Sequence, residues 1–376
     1  MKIQSIEAVG IAYEVPPERI YGSTVGLHAR RQFTLIRVRT DDGIEGIGDA
    51  RGPVSIVGPH LELLKTKFIG TDIDDREVIF ARLLNQLYHF GRQGALIVAY
   101  SGLNIAMLDA LGKARGVPVS RLMSGSARRE VTAYATGGHF TQRESDLVGQ
   151  MEGIKALGVA GAKIKTGRGP ESDEIRVKTA RSILGDDMFL AVDANANYTA
   201  DIAVDSMRRM APYRIAWFEE PLRPHDYRGY SHLRTRAMMP IATGEAHHMV
   251  FDFRRLLDGE CLDIAQPAVC ACGGLDEARR ITDLCRLFGV RVVPAAWSSG
   301  VGLMAAIHFA ASIPPYPHAE SEPAPQLVEY DVGENPLRDE ILQEPVKIVG
   351  GKITVSDKPG LGIALNEDAV RFYTIR

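Results

Sequence analysis

Three carboxylates at a fixed interval constrain this chain more than any other feature. Asp193, Glu219 and Glu245 each close a short apolar run and lie 26 residues apart. The runs are Phe189-Leu190-Ala191-Val192, Arg214-Ile215-Ala216-Trp217-Phe218 and Pro240-Ile241-Ala242-Thr243. That interval is one strand–helix unit, so the three ends converge only if the strands are parallel and the sheet curls into a barrel. A single acid of this kind would be read as a cap on the following helix. Three at one period are read as a site. Hard oxygen donors with no His or Cys beside them suit Mg²⁺, which keeps positions for water and substrate.

Composition narrows the class. Of 376 residues, 45% are hydrophobic and 24% charged, an ordinary globular balance. A net charge of −3 leaves no electrostatic footprint for nucleic acid. Met1-Lys2-Ile3-Gln4 runs straight into an alternating strand, without a signal pattern. The apolar region from Ala95 to Leu111 is interrupted by Ser101, Asn104 and Asp109, which argues against a membrane span. Cys261, Cys270, Cys272 and Cys285 lack zinc-site spacing and are too few for a disulfide scaffold. A reduced, cytoplasmic protein is the expectation.

Along the chain, Ile3 to Ala12 and Phe33 to Thr40 alternate, and Asp41-Asp42-Gly43 reads as a hairpin turn before Ile44 to Asp49. Tyr13 to Arg31 has no clear periodicity and is long for a connector, so a lid is expected there. From Val57 to Gly116 the pattern is helical, which makes the first part α+β. A strand–helix rhythm then starts at Val131. Its strands are expected at Val131–Ala135, Ala160–Lys165, the three carboxylate-tipped runs, Cys261–Gln266, Arg291–Ala295 and, thinly, His318–Glu322. The division expected is 1–125, 126–330 and 331–376. In the last part, Val346 to Val355 looks strand-like and is expected to pack back on the first domain.

Lys163-Ile164-Lys165 lies on the second barrel strand. Residues i and i+2 share a face, so both lysines point inward while Ile164 points out. Neighbouring ammonium groups lower each other's pKa, and a lysine so adjusted can act as a general base. Opposite a three-carboxylate site, these parts describe proton abstraction next to a metal-bound carboxylate, with Lys165 taking the proton and Lys163 supplying a second cation.

Lys-x-Lys, Val-Asp-Ala-Asn, Trp-Phe-Glu-Glu-Pro and Gly-Glu at these spacings resemble the enolase superfamily, mandelate racemase subgroup. The likeness runs to the Gly360-Leu361-Gly362-Ile363 end. It implies an α+β capping domain, completed by the C-terminal tail, on a modified (β/α)8 TIM-type barrel. It also implies that Asp193, Glu219 and Glu245 hold Mg²⁺, that Lys165 is the base, and that Asn195 and Glu220 stand behind them. Loops near residue 20, with Tyr21, and near residue 50, with Arg51, would close on a small carboxylate substrate. Homo-oligomers, commonly octamers, are further implied. Ala133-Tyr134-Ala135-Thr136-Gly137, Gln266-Pro267 and Cys270-x-Cys272-Gly273-Gly274 look most like galactaro-lactone cycloisomerases and acid-sugar dehydratases.

Two departures carry weight. The subgroup usually has Asp after Gln-Pro and His after Val-Pro, whereas this chain has Ala268 and Ala295. Losing both removes an acid/base pair without stranding either member. Candidates for another acid, or for pocket walls, are His248, Glu322, Tyr134 and Trp297; each could equally serve capping or packing. Three readings follow: a Mg²⁺-dependent lyase or cycloisomerase of a sugar acid or its lactone; a racemase or epimerase with a non-standard second base such as His248; and a metal-binding but catalytically silent relative.

Overall fold

The computed structural model describes all residues except 90, 126, 142, 144–145, 316–324 and 376. The first part is an antiparallel sheet of β1 (Ile3–Glu14), β4 (Arg30–Thr40) and β5 (Glu45–Ala50), in the order β1-β4-β5. The turn between β4 and β5 is the expected one: Gly43, at φ +84°, donates its N–H to Thr40 O. Between β1 and β4 the chain is more regular than expected. Tyr13–Arg31 holds a short hairpin of β2 (Tyr21–Ser23) and β3 (Gly26–His28). Strands of three residues are too brief to show a period, and that hid the hairpin.

Four helices follow: α1 (Val54–Phe68), α2 (Arg76–Gln86), α3 (Ala95–Arg115) and α4 (Val119–Ser124). Helix α3 is long and apolar enough to cross a membrane, but 89% of its most apolar stretch is buried in the protein. Its polar residues act as fasteners. Asn104 donates to Asp276 and accepts from the backbone of Leu275 and Asp276, and Ser101 accepts from Gly273 N. The cap is thereby docked on the start of a barrel helix, whose first N–H groups need such partners.

The barrel strands are β6 (Glu130–Gly137), β7 (Gly161–Lys165), β8 (Phe189–Asp193), β9 (Ile215–Glu219), β10 (Ile241–Thr243), β11 (Ile264–Ala265), β12 (Arg291–Val292) and β13 (Leu327–Asp331). They form one parallel ladder, β12-β11-β10-β9-β8-β7-β6-β13. Helices α5 (Asp146–Ala156), α6 (Pro170–Leu184), α7 (Ala200–Met210), α8 (Tyr227–Arg234), α9 (Met249–Asp258), α10 (Gly274–Leu287) and α11 (Gly300–Ser312) alternate with the strands. Among the described residues no ladder pair joins β12 to β13. Side chains bridge that seam, with Gln326 Nε2 donating to Val292 O at 3.0 Å and Ala296 N to Glu329 at 2.8 Å.

The eighth strand is thus Leu327–Asp331, not His318–Glu322, which lies outside the described residues. The barrel floor is an apolar layer of Tyr134, Ala191, Trp217, Ala242, Ile264 and Val293. Two residues further along, β8 and β9 present Asp193 and Glu219, whereas the other four strands present Thr136, Gly244, Gln266 and Ala295. The closing segment holds α12 (Pro336–Asp339), β14 (Lys352–Thr354) and α13 (Glu367–Tyr373). Strand β14 pairs with β6 of the barrel rather than with the cap sheet, while Ile375 N reaches Gly10 O on β1.

Candidate active site

Parallel register assembles the site. Lys165 on β7 lies beside Asp193 on β8, and Asp193 beside Glu219 on β9, so one level of the barrel carries all three. Lys165 Nζ donates to Asp193 Oδ2 at 2.6 Å. Lys163, one level lower, bonds Glu219 and lies 2.9 Å from Glu329 Oε1. Both lysines are buried, and Ile164 between them points into the outer core, as the strand period requires. Glu219 also accepts from Trp217 Nε1 and Gln266 Nε2. Glu245, after β10, faces the fork of Arg51 at 3.3 and 3.4 Å.

The backbone beyond the strands is bent to serve this cluster. Asn195, Ala196 and Glu220 all hold positive φ, at 44°, 63° and 38°. Such conformations cost energy in non-glycine residues and gather where side chains must be aimed. Asn195 uses its N–H and its amide to hold Asp193, leaving its Oδ1 buried without a partner. Glu220 Oε1 is likewise buried and unpartnered.

The lysines do not titrate as their sequence spacing implies. Burial acts to lower the Lys165 pKa, but Asp193 outweighs it and the repulsion of Lys163, and the net direction is up. Lys163 is raised further, because Glu219 and Glu329 together overcome its burial. The expected mutual lowering is overturned because carboxylates lie closer to each ammonium than the other ammonium does. On the acid side, burial pushes Glu219 up to about 7 despite Lys163. Burial also raises Glu220 strongly, with Glu245 and Asp193 adding repulsion. Glu245 moves down, since Arg51 and the lysines outweigh its burial.

These shifts reflect a charge imbalance. Five carboxylates (Asp193, Glu219, Glu220, Glu245, Glu329) face three cations (Lys163, Lys165, Arg51), an excess of two negative charges. A divalent cation matches that excess, and the hard oxygen donors match Mg²⁺. As placed, Asp193, Glu219 and Glu245 each turn an oxygen onto a lysine or arginine. Among the described residues no three His, Cys, Asp or Glu side chains form a finished ion cage. The residues therefore fit the ion by charge and donor type, with the side chains paired among themselves.

The other expected residues fall into distinct places. Tyr134 is fully enclosed in the barrel floor, edge-on to Trp217, with Lys163 Nζ 6.0 Å from its ring centroid. His248 precedes α9, half-buried, and its N–H bonds Asp252; His247 bonds Pro224 O. Trp297 lines the mouth beside Tyr21, His28 and His139. Glu322 lies outside the described residues. The carboxylate on the eighth strand is Glu329, which accepts from Thr136 at 2.6 Å and from Ala296 N. Sequence reading misses it because the eighth strand is expected at His318–Glu322, short of Leu327-Val328-Glu329-Tyr330-Asp331. The period-two placing of Glu329 and Asp331 was the available signal.

Opposite the charged cluster, Ala268 and Ala295 form a parallel bridge and, with Ala271, an apolar patch packed by Val98. The two positions where the resemblance leads one to expect an acid and a base thus hold an apolar contact. Over the mouth lies the β2–β3 hairpin. Gly22 pairs with Phe140 after β6, and Thr24 Oγ1 bonds Ala194 O and Asn195 O after β8. The hairpin so spans the end of β7, where Lys165 stands.

Residues 8–124 match the family model "Mandelate racemase / muconate lactonizing enzyme, N-terminal domain", and residues 146–369 match "Enolase C-terminal domain-like". The chain is 37% identical, over 91% of both chains, to a D-galactarolactone cycloisomerase of Agrobacterium fabrum. It superposes with a TM-score of 0.90 on the 3,6-anhydro-D-galactonate cycloisomerase of Zobellia galactanivorans, at 30% identity and full coverage of both. A racemase of Streptomyces coelicolor with bound magnesium is 25% identical and superposes at 0.87, covering 99% of this chain and 100% of that one. With both family models matched and this geometry at the strand ends, the chain belongs to the mandelate racemase/muconate lactonizing enzyme group of the enolase superfamily and is an enzyme.

Proposed function

We propose that the enzyme opens the lactone of a sugar diacid by abstracting the proton α to its free carboxylate. Support comes from one contrast: Lys165 stands on the charged side, and Ala268 and Ala295 occupy the opposite side. Asp193, Glu219 and Glu245 are the residues that would hold Mg²⁺. When bound, the ion would polarise the substrate carboxylate and balance these carboxylates, which leaves Lys165 chiefly under the repulsion of Lys163. Lys165 then takes the α-proton. The electron pair of that C–H bond forms a double bond to the β-carbon, and the β-carbon–oxygen bond breaks. Lys163, fixed by Glu219 and Glu329, adds positive charge beneath the forming enediolate.

The leaving oxygen decides between substrates. A hydroxide or an ether oxygen departs as a strong base and needs a proton donor. The ring oxygen of a lactone departs as a carboxylate and needs none. An alanine patch where an acid would stand favours the lactone. The enol product then gains a proton at the β-carbon and becomes a 2-keto acid. The free buried cysteines suit a reducing cytoplasm.

The test compares galactaro-1,4-lactone with galactarate and 3,6-anhydrogalactonate, each with Mg²⁺ and enzyme, scoring 2-keto acid. Turnover of the lactone at least about a hundredfold above the other two fits a leaving group that needs no acid. Equal turnover of galactarate would show that an acid is present and reject the reading.

A further inference from the structure

Beside Lys165 lies a set of buried groups that the proton transfer does not use. Arg31 is 3% exposed, Tyr21 6% and His139 5%. Arg31 Nη1 bonds Asp331 Oδ2 at 2.7 Å, but its Nε and Nη2 are buried without a hydrogen-bond partner. Tyr21 Oη is also unpartnered, as are both ring nitrogens of His139, the nearer of which lies 3.8 Å from Asp331. Unpaired buried donors are costly and rare, and their gathering at one place asks for an acceptor.

The wall is rigid. The Arg31 guanidinium lies over the rings of Trp297 and Tyr21, at 4.6 and 4.9 Å, and Tyr21 packs on His139 at 4.8 Å. Gln150 clamps the backbone of His139 through both its N–H and its carbonyl. Gly333 keeps Arg31 Nη2 uncovered, since a β-carbon there would stand 2.7 Å from that nitrogen. Next to Tyr21 and His139 lies a cavity of about 770 Å³, also bordered by Gln150, Gly333 and Glu334 but not by Arg31 or Lys165. Asp331 is shared between Arg31 and, at 3.8 Å, His139, and Glu334 stands on the cavity wall; Arg31 Nε and Nη2 and Tyr21 Oη are still left without an acceptor. Their position follows from the fold. His139 follows β6 and Asp331 ends β13, the strands on the side of β7 away from β8, and Tyr21 belongs to the hairpin over Lys165.

We infer that Tyr21, Arg31 and His139 form a subsite for the second carboxylate of the substrate, the one set free when the lactone opens. The inference rests on the lactone reading above and deepens it. It makes the hairpin a sensor, because Tyr21 completes the subsite only when Gly22 is seated on Phe140. It also assigns the enzyme to acids with a carboxyl function at each end. A planar guanidinium edge with two free N–H groups beside a phenol is well suited to a carboxylate.

The experiment is calorimetric titration of the Mg²⁺-loaded protein with two probes. Galactarate has a carboxylate at each end, and galactonate ends in a hydroxymethyl group. The wild type is expected to bind galactarate at least about tenfold tighter, the worth of one hydrogen bond to a charged group. Tyr21→Phe removes one donor without changing shape, and Arg31→Lys keeps the ion pair to Asp331 while losing the fork. Each is expected to cut the galactarate preference about three- to tenfold and leave galactonate within twofold. No preference in the wild type, or one unchanged in both variants, would overturn the subsite. Failure of the lactone reading would show separately, as absent turnover with the galactarate preference intact.

Discussion

The two sides of the barrel mouth are built from opposite materials. At the ends of β7, β8 and β9, after β10, and on β13 stand lysines and carboxylates that pair in part and leave two negative charges in excess. At β11 and β12 the corresponding ends hold Ala268 and Ala295. The difference teaches how two facing positions of a site can both be apolar without stranding a charge. Removing one member of a buried charged pair strands the other at a cost of several kcal/mol, whereas removing both leaves an ordinary apolar contact. The charged side has no such exit, because Lys163 answers to two carboxylates at once.

The largest expected effect concerns the charged side as a whole. Chelation of divalent ions should lower lactone turnover by about 10³-fold or more, with circular dichroism unchanged and activity restored by Mg²⁺. Persistent turnover in chelator would break the reading of the carboxylates as an ion site. Next comes Lys163→Met, which leaves Glu219 and Glu329 without their common cation. A loss of about 3–5 kcal/mol in denaturant-measured stability is expected.

A third prediction separates acid unfolding from titration of the site. His308, buried in α11, accepts from Ser120 N and bonds Leu361 O, so it ties the barrel to α4 and to the closing segment. Burial, opposed by the Leu361 bond, lowers its pKa to about 4 from 6.5. The unfolded chain then binds a proton that the folded one refuses. Its contribution is fully present above about pH 6.5 and is lost as pH falls towards 4, by up to about 3 kcal/mol. Chemical denaturation at pH 7, 5.5 and 4.5 should show the decline, and His308→Gln should flatten that part of it.

The smallest effect belongs to the alanine side. Ala295→His forces an imidazole into a packed patch and should cost about 1–3 kcal/mol. Adding Ala268→Asp offers it a neighbour across the backbone bridge, so the double variant should lose about 1 kcal/mol less than the sum of the single losses, measured in a double-mutant cycle. Simple additivity would mean that the two positions no longer face each other.

What the sequence disclosed follows the same division. Asp193, Glu219 and Glu245 were legible because each ends a buried strand and the strands recur at one interval, and Lys163 and Lys165 because period two puts them on one face. The cap turn at Gly43 and the loss at Ala268 and Ala295 were equally local. Glu329 was not, because β13 is five residues long and follows a Pro-rich stretch that masks its alternation. Arg31 could not be found at all by spacing, since its partner Asp331 lies 300 residues away and only the closed barrel brings them together. The direction of the lysine shifts needed the same three-dimensional facts: which carboxylates approach, and how closely.

The measurement that bears most directly on the central claim is deuterium exchange at the α-carbon. Galactaro-1,4-lactone would be incubated with Mg²⁺ in D₂O, beside wild-type protein and a folded Lys165→Ala variant, and followed by proton NMR. Loss of the α-proton signal with wild type, and its persistence with Lys165→Ala at a rate lower by about 10²–10⁴-fold, is the predicted result. Loss at the same rate in both proteins would contradict the assignment of Lys165 as the base, whatever the product.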